Sequence, residues 1–270
     1  MPPKPTLDGA RLKIERAKKH FIDLQSAIIA YETAYNQSAG VKAQPKGKGF
    51  SFSVEEVPEI DPFIPLMLGD FVHNLRSTLD HIVCQLALLN GQPVECCTKT
   101  AFPVCIDPSH ESLVRKAKRF VSSKAFEVIE ECQPYAAAKA QGYPPEHHTL
   151  WILSELDNID KHRTVLVVAK KIRPIGFEAT LGDKTVKLPA PSPMPWQTLE
   201  KGAELAQVNL HPVGNIPDGA EMHVQLHSEI AIQFAKTGLA CDGEEIKVPL
   251  AGCIRLVEDI VRKFDDELFE

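Results

Sequence analysis

A chain of 270 residues, 44% hydrophobic and 24% charged, has the texture of a globular protein and can fill one large domain or two small ones. Its net charge of −6 argues against a protein that coats nucleic acid nonspecifically, although local basic patches remain compatible with it. Seven cysteines with one adjacent pair, Cys96 and Cys97, and no CxxC offer neither a disulfide framework nor zinc-finger spacing. Reduced thiols in a cytoplasm are therefore expected. The start, MPPKPTLDGARLK, lacks an apolar signal core, and no run approaches about 20 apolar residues. Neither export nor membrane insertion is expected.

After Pro-rich residues 1–6, Ile14, Ala17, Phe21, Leu24, Ile28, Tyr31 and Tyr35 form a helical stripe over residues 7–35. Arg11, Lys13, Arg16, Lys18 and Lys19 near its start read as a solvated face, with phosphate binding the sharper alternative. Residues 40–49 read as a flexible break, and FSFSVEEV alternates as a strand does. The next helix, the centre of the chain, runs from Pro62 to Asn90; Pro65 suggests a regular start only beyond it, and Asn90-Gly91 a stop. CTKTAFPVCI is an extended connection. Asp107-Pro108 opens a helix with Leu113, Val114, Ala117, Phe120 and Val121 inward, and Ser122-Ser123 restarts one. Another helix runs from about His147 to His162 on Ile152, Leu156 and Ile159, with Glu155, Asn158 and His162 on a second face.

Beyond Arg163 the texture changes to strands: TVLVVAKKI, then GFEATL and KTVKL about a Gly182-Asp183 turn. The Pro-rich stretch PAPSPMPW follows, then ELAQVNL and MHVQLHSEIAIQF. His223 and His227 share a strand face that reads as solvated. Asp242-Gly243 marks a turn before EIKVPL. Ile254, Val257, Val261, Phe264 and Leu268 then form the inner face of a closing amphipathic helix. The order of elements is α+β: an N-terminal helical bundle over residues 1–163, then an antiparallel sheet and closing helix over 164–270.

The central helix carries the strongest functional signal. Leu68, Val72, Leu75, Leu79, Ile82, Leu86 and Leu89 form its apolar stripe. At about 100° per residue the opposite side gathers Asp70, His73, Asn74, Ser77, Asp80, His81 and Cys84, with Arg76 on a flank. An ordinary solvated face would be mostly Lys, Glu, Gln and Ala. Cys84 reads as a small boundary hydrophobe.

Arg76-Ser77-Thr78-Leu79-Asp80-His81 resembles the Arg-x4–6-His motif of the HEPN superfamily, helical-bundle proteins that include many metal-independent ribonucleases. The resemblance implies a homodimer that brings two motifs together. It gives His81 a proton to carry during attack of an RNA 2′-hydroxyl on phosphorus, and Arg76 the charge of the phosphorane to stabilise. Five residues place Arg76 and His81 about 140° apart around the helix, so they converge only by bending or across two protomers. The longer strings GDFVHNLRSTLDH and LDNIDKHR are similar to those of a widespread bacterial family without an assigned activity. They extend the expected catalytic set to Arg76, His81, His73, Asn74 and Asp80, and the expected substrate-binding set to Asp160, Lys161, His162 and Arg163.

Two other readings compete. Arg76 and Asp80 at i,i+4 are an ordinary helix pair, and a polar band between helices can be a hydrogen-bond network that fixes packing or a dimer. His73, Ser77 and His81 fall on one line, which Asp70, Asp80 and His162 could extend into a metal site for a hydrolase. However, His73 and His81 stand two turns, about 12 Å, apart and cannot share one ion directly. The expectation is an RNA-binding or RNA-cleaving protein without cofactor, with RNA and a second copy of the chain as partners.

Overall fold

The computed structural model describes residues 4–37, 40–46, 49–57, 59–109, 111–165, 167–181, 184–189, 195–209 and 222–269. The fold is α+β, with helices first, antiparallel strands next and a helix last. Two compact units divide the chain. One comprises Met1–Gln25, Pro62–Leu166 and Phe234–Glu270; the other comprises Ser26–Asp61 and Val167–Gln233. The division differs from a split at residue 163: the closing helix belongs with the helical segments, and residues 26–61 belong with the strands.

In the first unit the helices are α1 (Asp8–Gln37, through Gln25), α2 (Phe63–Leu89), α3 (Glu111–Lys118), α4 (Ser123–Glu131), α5 (Pro134–Gln141), α6 (Thr149–His162) and α7 (Lys247–Leu268). The apolar stripe of α2 is buried from Leu68 to Leu86, and only Leu89 at its end is exposed. Phe71, Thr78 and Val83 are buried too, so α2 is enclosed on more than one side by α6 and α7. Phe71 meets Phe21 of α1 with ring centroids 5.7 Å apart, and Phe102 meets Phe264 of α7 edge to face at 6.3 Å. Helix α2 starts at Phe63 rather than beyond Pro65. A proline in the first turn lacks an N–H that would have no intrahelical partner anyway, and Pro249 sits at the same third position of α7. Gly91, at φ +77°, follows the C-cap Asn90 as expected.

Helix α3 begins at Glu111, later than the Asp107-Pro108 signal. Asp107 instead accepts from the backbone N–H of Ser109 in a local turn. Ser122 does cap α4, accepting from Ala125 N at 3.2 Å. Cys97 and Thr98, the start of the stretch read as an extended connection, end a short 3-10 helix over Val94–Thr98.

The second unit holds β1 (Val41–Lys46), β2 (Gly49–Val54), β3 (Val167–Leu181), β4 (Lys184–Pro189), β5 (Gln197–Thr198), β6 (Glu204–Asn209) and most of β7 (Met222–Phe234). One sheet has the order β1-β2-β6; another has β4-β3-β5, with β7 also paired to β3. Strand β1 occupies the stretch read as a break. Its sequence VKAQPK offers a short apolar face, with Val41 and Ala43 half-buried against this unit's core, and its antiparallel pairing with β2 supplies the order. The two strand stretches expected between residues 164 and 181 are one strand, β3, and Leu181 stands opposite Lys184 of β4. The Gly182-Asp183 turn lies outside the described residues, as does most of PAPSPMPW. Phe52, Ile172, Phe177, Leu205, Leu226 and Ile230 build this unit's core, and Phe52 and Phe177 lie 5.4 Å apart.

Cys84 of α2 and Cys97 are joined by a disulfide, against the expectation of reduced thiols. A polar or boundary position on α2 faced the Cys96-Cys97 pair across a loop, a closeness that Cys spacing does not reveal. Closing a loop with a sequence separation of 13 stabilises the fold by about 3 kcal/mol on the chain-entropy account. The remaining cysteines, Cys96, Cys105, Cys132, Cys241 and Cys253, are free. Thiol titration in denaturant without reductant is expected to count five reactive groups, and seven after reduction. A count of seven before reduction would refute the bond.

Candidate functional site

Helix α6 brings the two motif strings together. Leu150, Leu153 and Asp157 recur at helical spacing along its buried side, so Asp157 is a carboxylate on an apolar stripe. Its side chain is 2% exposed and has two partners. His73 Nδ1 on α2 lies 3.2 Å from its Oδ1, and Lys161 Nζ lies 2.5 Å from its Oδ2 in an ionic contact without hydrogen-bond alignment. An ionised carboxylate only accepts, so Nδ1 carries the proton and the neutral imidazole presents Nε2 as an acceptor. The His73 side chain is 62% exposed, so that nitrogen faces outward from a buried anchor.

Asp160, one turn above Lys161's partner on the same helix, packs its carboxylate over Gly69 of α2, where any Cβ would collide with it. Burial raises the Asp160 pKa first, and the neighbouring Asp157 and Asp70 carboxylates raise it further against the opposing pull of His73. Asn74 turns back along its own helix and donates to the Asp70 carbonyl at 2.7 Å. Its carbonyl accepts from Ser77 Oγ and Thr78 Oγ1.

Arg76 lies one turn beyond His73. Its Nη1 donates to Asp80 Oδ1 at 2.6 Å and its Nη2 to the Phe102 carbonyl at 2.8 Å, while Phe102 N donates back to Asp80 Oδ1 at 2.8 Å. The expected i,i+4 pair is present and doubles as a clamp on the backbone that follows the 3-10 helix. The Arg76 side chain is 13% exposed, and that exposure opens on a cleft of about 520 Å³. Lys99, Lys116 and the Phe102–Ile106 segment line the cleft together with Trp151, Ser154, Glu155 and Asn158 of α6. Asn158 Nδ2 donates to Glu155 Oε1 at 2.9 Å, so the single carboxylate lining the cleft is engaged.

His81 is not in this cleft. Its ring lies against Gly9 of α1, where a Cβ would come within 2.5 Å of Nε2. Burial and the nearby Lys13 charge lower its pKa. Arg76 and His81 thus leave α2 on different sides, as their spacing implies. His162 and Arg163 are exposed at the end of α6 and join neither group. Among the described residues, no set of three or more His, Cys, Asp or Glu side chains has the geometry to hold a metal ion. Of the basic cluster on α1, Arg11 pairs with Asp8 and Asp265, Lys18 pairs with Glu15 and Glu258, and Lys13 donates to Ser77. In the second unit, His227 lies 3.4 Å from Glu178, which also pairs with Lys187. No helix of the described residues is long and apolar enough to cross a membrane.

Several contributors were not singled out from sequence. Asp157 sits inside LDNIDKHR and could have been found as the charged member of an apolar stripe. Lys99, Lys116 and Trp151 carry no local signal and converge only through the tertiary fold. No family model, curated protein or solved structure matches the chain.

Asp160 yields a test of the electrostatics. Its folded pKa exceeds the unfolded one, so between the two values the folded state binds more protons and stability falls as pH rises. The penalty is absent below the ordinary carboxylate range and complete above the raised pKa. Asp160→Asn is therefore expected to stabilise the protein at neutral pH, with the gain vanishing as pH falls below about 4. Urea unfolding of both proteins across pH measures this; a gain that persists unchanged at low pH would contradict it.

Proposed function

We propose that this protein binds RNA at the Arg76 cleft and cleaves it without a metal. The observation that carries the reading is the gathering of Arg76, Lys99 and Lys116 around one cleft in a chain of net charge −6. Its lone lining carboxylate, Glu155, is tied to Asn158. Local positive charge against a negative whole marks a place for an anion. A volume of about 520 Å³ is in the range of small-ligand sites and admits a nucleotide unit, for which the Trp151 indole offers a stacking surface. RNA carries its own nucleophile in the 2′-hydroxyl, so cleavage asks only for proton transfer and charge stabilisation. The HEPN resemblance of the α2 motif points the same way, and the homodimer it implies belongs to this proposal.

A second reading is favoured by the Arg76–Asp80–Phe102 clamp: the band fixes the packing of α2 and has no substrate. On that view Arg76→Ala removes two hydrogen bonds and destabilises the fold by about 1–3 kcal/mol without any RNA phenotype.

Lys99→Ala/Lys116→Ala discriminates between them, because neither lysine is part of the clamp. Under the RNA reading, the double variant binds single-stranded RNA at least tenfold more weakly at low salt. The slope of log Kd against log salt drops by about 1.4, reflecting two lost phosphate contacts. The melting temperature stays near that of the unaltered protein. Unaltered protein that neither binds nor cleaves RNA in chelator, together with a destabilised Arg76→Ala, would leave the packing network as the role of the band.

A further inference from the structure

The cleft contains a guanidinium and two ammonium groups, yet none of its lining residues is a proton carrier suited to neutral pH. His81, the histidine of the Arg-x4-His motif, is turned against Gly9. The imidazole nearest to Arg76 along α2 is His73. It is three residues back, which places it about 60° away around the helix and about 4.5 Å along it, against about 140° for His81. Across from it on α6, the dyad partner Asp157 immediately precedes Asn158 of the cleft wall.

A histidine fixed at Nδ1 by a buried carboxylate, with the other nitrogen facing solvent, is arranged as a general base. The carboxylate selects the tautomer and holds the ring plane; Lys161 on its second oxygen keeps the buried charge compensated. A solvated helix face needs none of this. An exposed histidine used only for solubility would not be anchored to a residue buried to 2%.

We propose that His73, positioned by Asp157, takes the 2′-hydroxyl proton of RNA at this site; the assignment rests on the RNA reading above. His73 Nε2 accepts the proton as the 2′-oxygen forms its bond to phosphorus. The bond from phosphorus to the 5′-oxygen breaks, and that oxygen takes a proton from water. The resulting hydroxide is neutralised by the proton held on His73. The products are a 2′,3′-cyclic phosphate and a 5′-hydroxyl, and the charge built up on phosphorus falls to Arg76. Asp157 acts through the imidazole and is a positioning residue.

The test compares the full chain with His73→Gln, Asp157→Asn and His81→Gln in chelator, on a single-stranded RNA and its 2′-O-methyl counterpart. His73→Gln is expected to lower the cleavage rate about 10²–10⁴-fold while RNA binding and the melting temperature are retained, because the glutamine amide still donates to Asp157 but cannot take up a proton. The groups facing His73 are Asp157, Asp160 and Lys161 from α6 and Asp70 from α2. Losing the Asp157 charge destabilises the imidazolium, so Asp157→Asn moves the midpoint of the rising limb of the pH–rate profile to lower pH. A purely structural aspartate would not shift that midpoint. Independently of activity, the imidazole 15N spectrum is expected to show His73 protonated at Nδ1 in the unaltered protein, and this preference to disappear in Asp157→Asn.

Cleavage that survives His73→Gln but is lost in His81→Gln overturns the assignment and leaves the RNA reading standing. Equal cleavage of the 2′-O-methyl strand, or a His73 protonated mainly at Nε2, overturns it as well. No cleavage by the unaltered protein overturns the RNA-cleavage reading and this assignment together.

Discussion

Helix α2 is enclosed on most of its circumference, and its sequence nevertheless carries a band of polar side chains. Buried polar groups without partners cost about 1–3 kcal/mol each, and most of the band's less exposed members bond within the fold. This requirement organises the helical unit. Asp80 ties Arg76 and the Phe102 N–H together, and Asp157 takes His73 and Lys161. Thr78, fully buried, returns its hydroxyl to the Asn74 carbonyl. The neighbours of α2 are placed as much by these bonds as by the leucines, because a hydrogen bond has a direction and apolar contact does not.

The same bonds explain why the two sides of α2 have different characters. Toward α1 the polar groups are small or solitary: Ser77 accepts from Lys13, and His81 lies on the glycine that makes room for it. Toward α6 the groups come in linked sets, with a buried carboxylate behind an exposed imidazole and a guanidinium that reaches a cleft. Burying a carboxylate is expensive unless its charge is met, and Asp157 is met by Lys161. The lysine meets the charge without a hydrogen bond, and the imidazole supplies the hydrogen bond on the other oxygen.

Helices with long apolar periods were legible from sequence: the stripes of α1, α2 and α7 needed only a spacing of three and four. The α+β order was legible for the same reason, since the periodicity changes after Arg163. The misread boundaries turn on local signals that the fold uses differently. Pro65 suggests a later start for α2, but in a first helical turn proline removes only a donor that would otherwise go unpaired, and Asp107 serves a turn rather than a helix cap. Strand β1 was hard to read because VKAQPK brings only Val41 and Ala43 to the core and depends on β2 for order. Tertiary closeness was invisible throughout: the return of residues 234–270 to the helical unit and the approach of Asp157 to His73 join segments far apart in the chain, and the Cys84–Cys97 bond depends on how the chain turns back after α2.

The candidate site was half legible on these terms. The band on α2 could be located because its composition departs from that of a solvated helix, and LDNIDKHR could be matched to it by resemblance. Which histidine is held by a buried carboxylate could not be read from the motif alone. A spacing of five sends Arg76 and His81 to different sides of a regular helix, whereas a spacing of three keeps Arg76 and His73 together. Helical geometry thus puts the imidazole and guanidinium of the HNLR portion on neighbouring faces of α2, and those of the RSTLDH portion on different sides. The anchor that completes the pair comes from a different helix, which is why it emerged only with the fold.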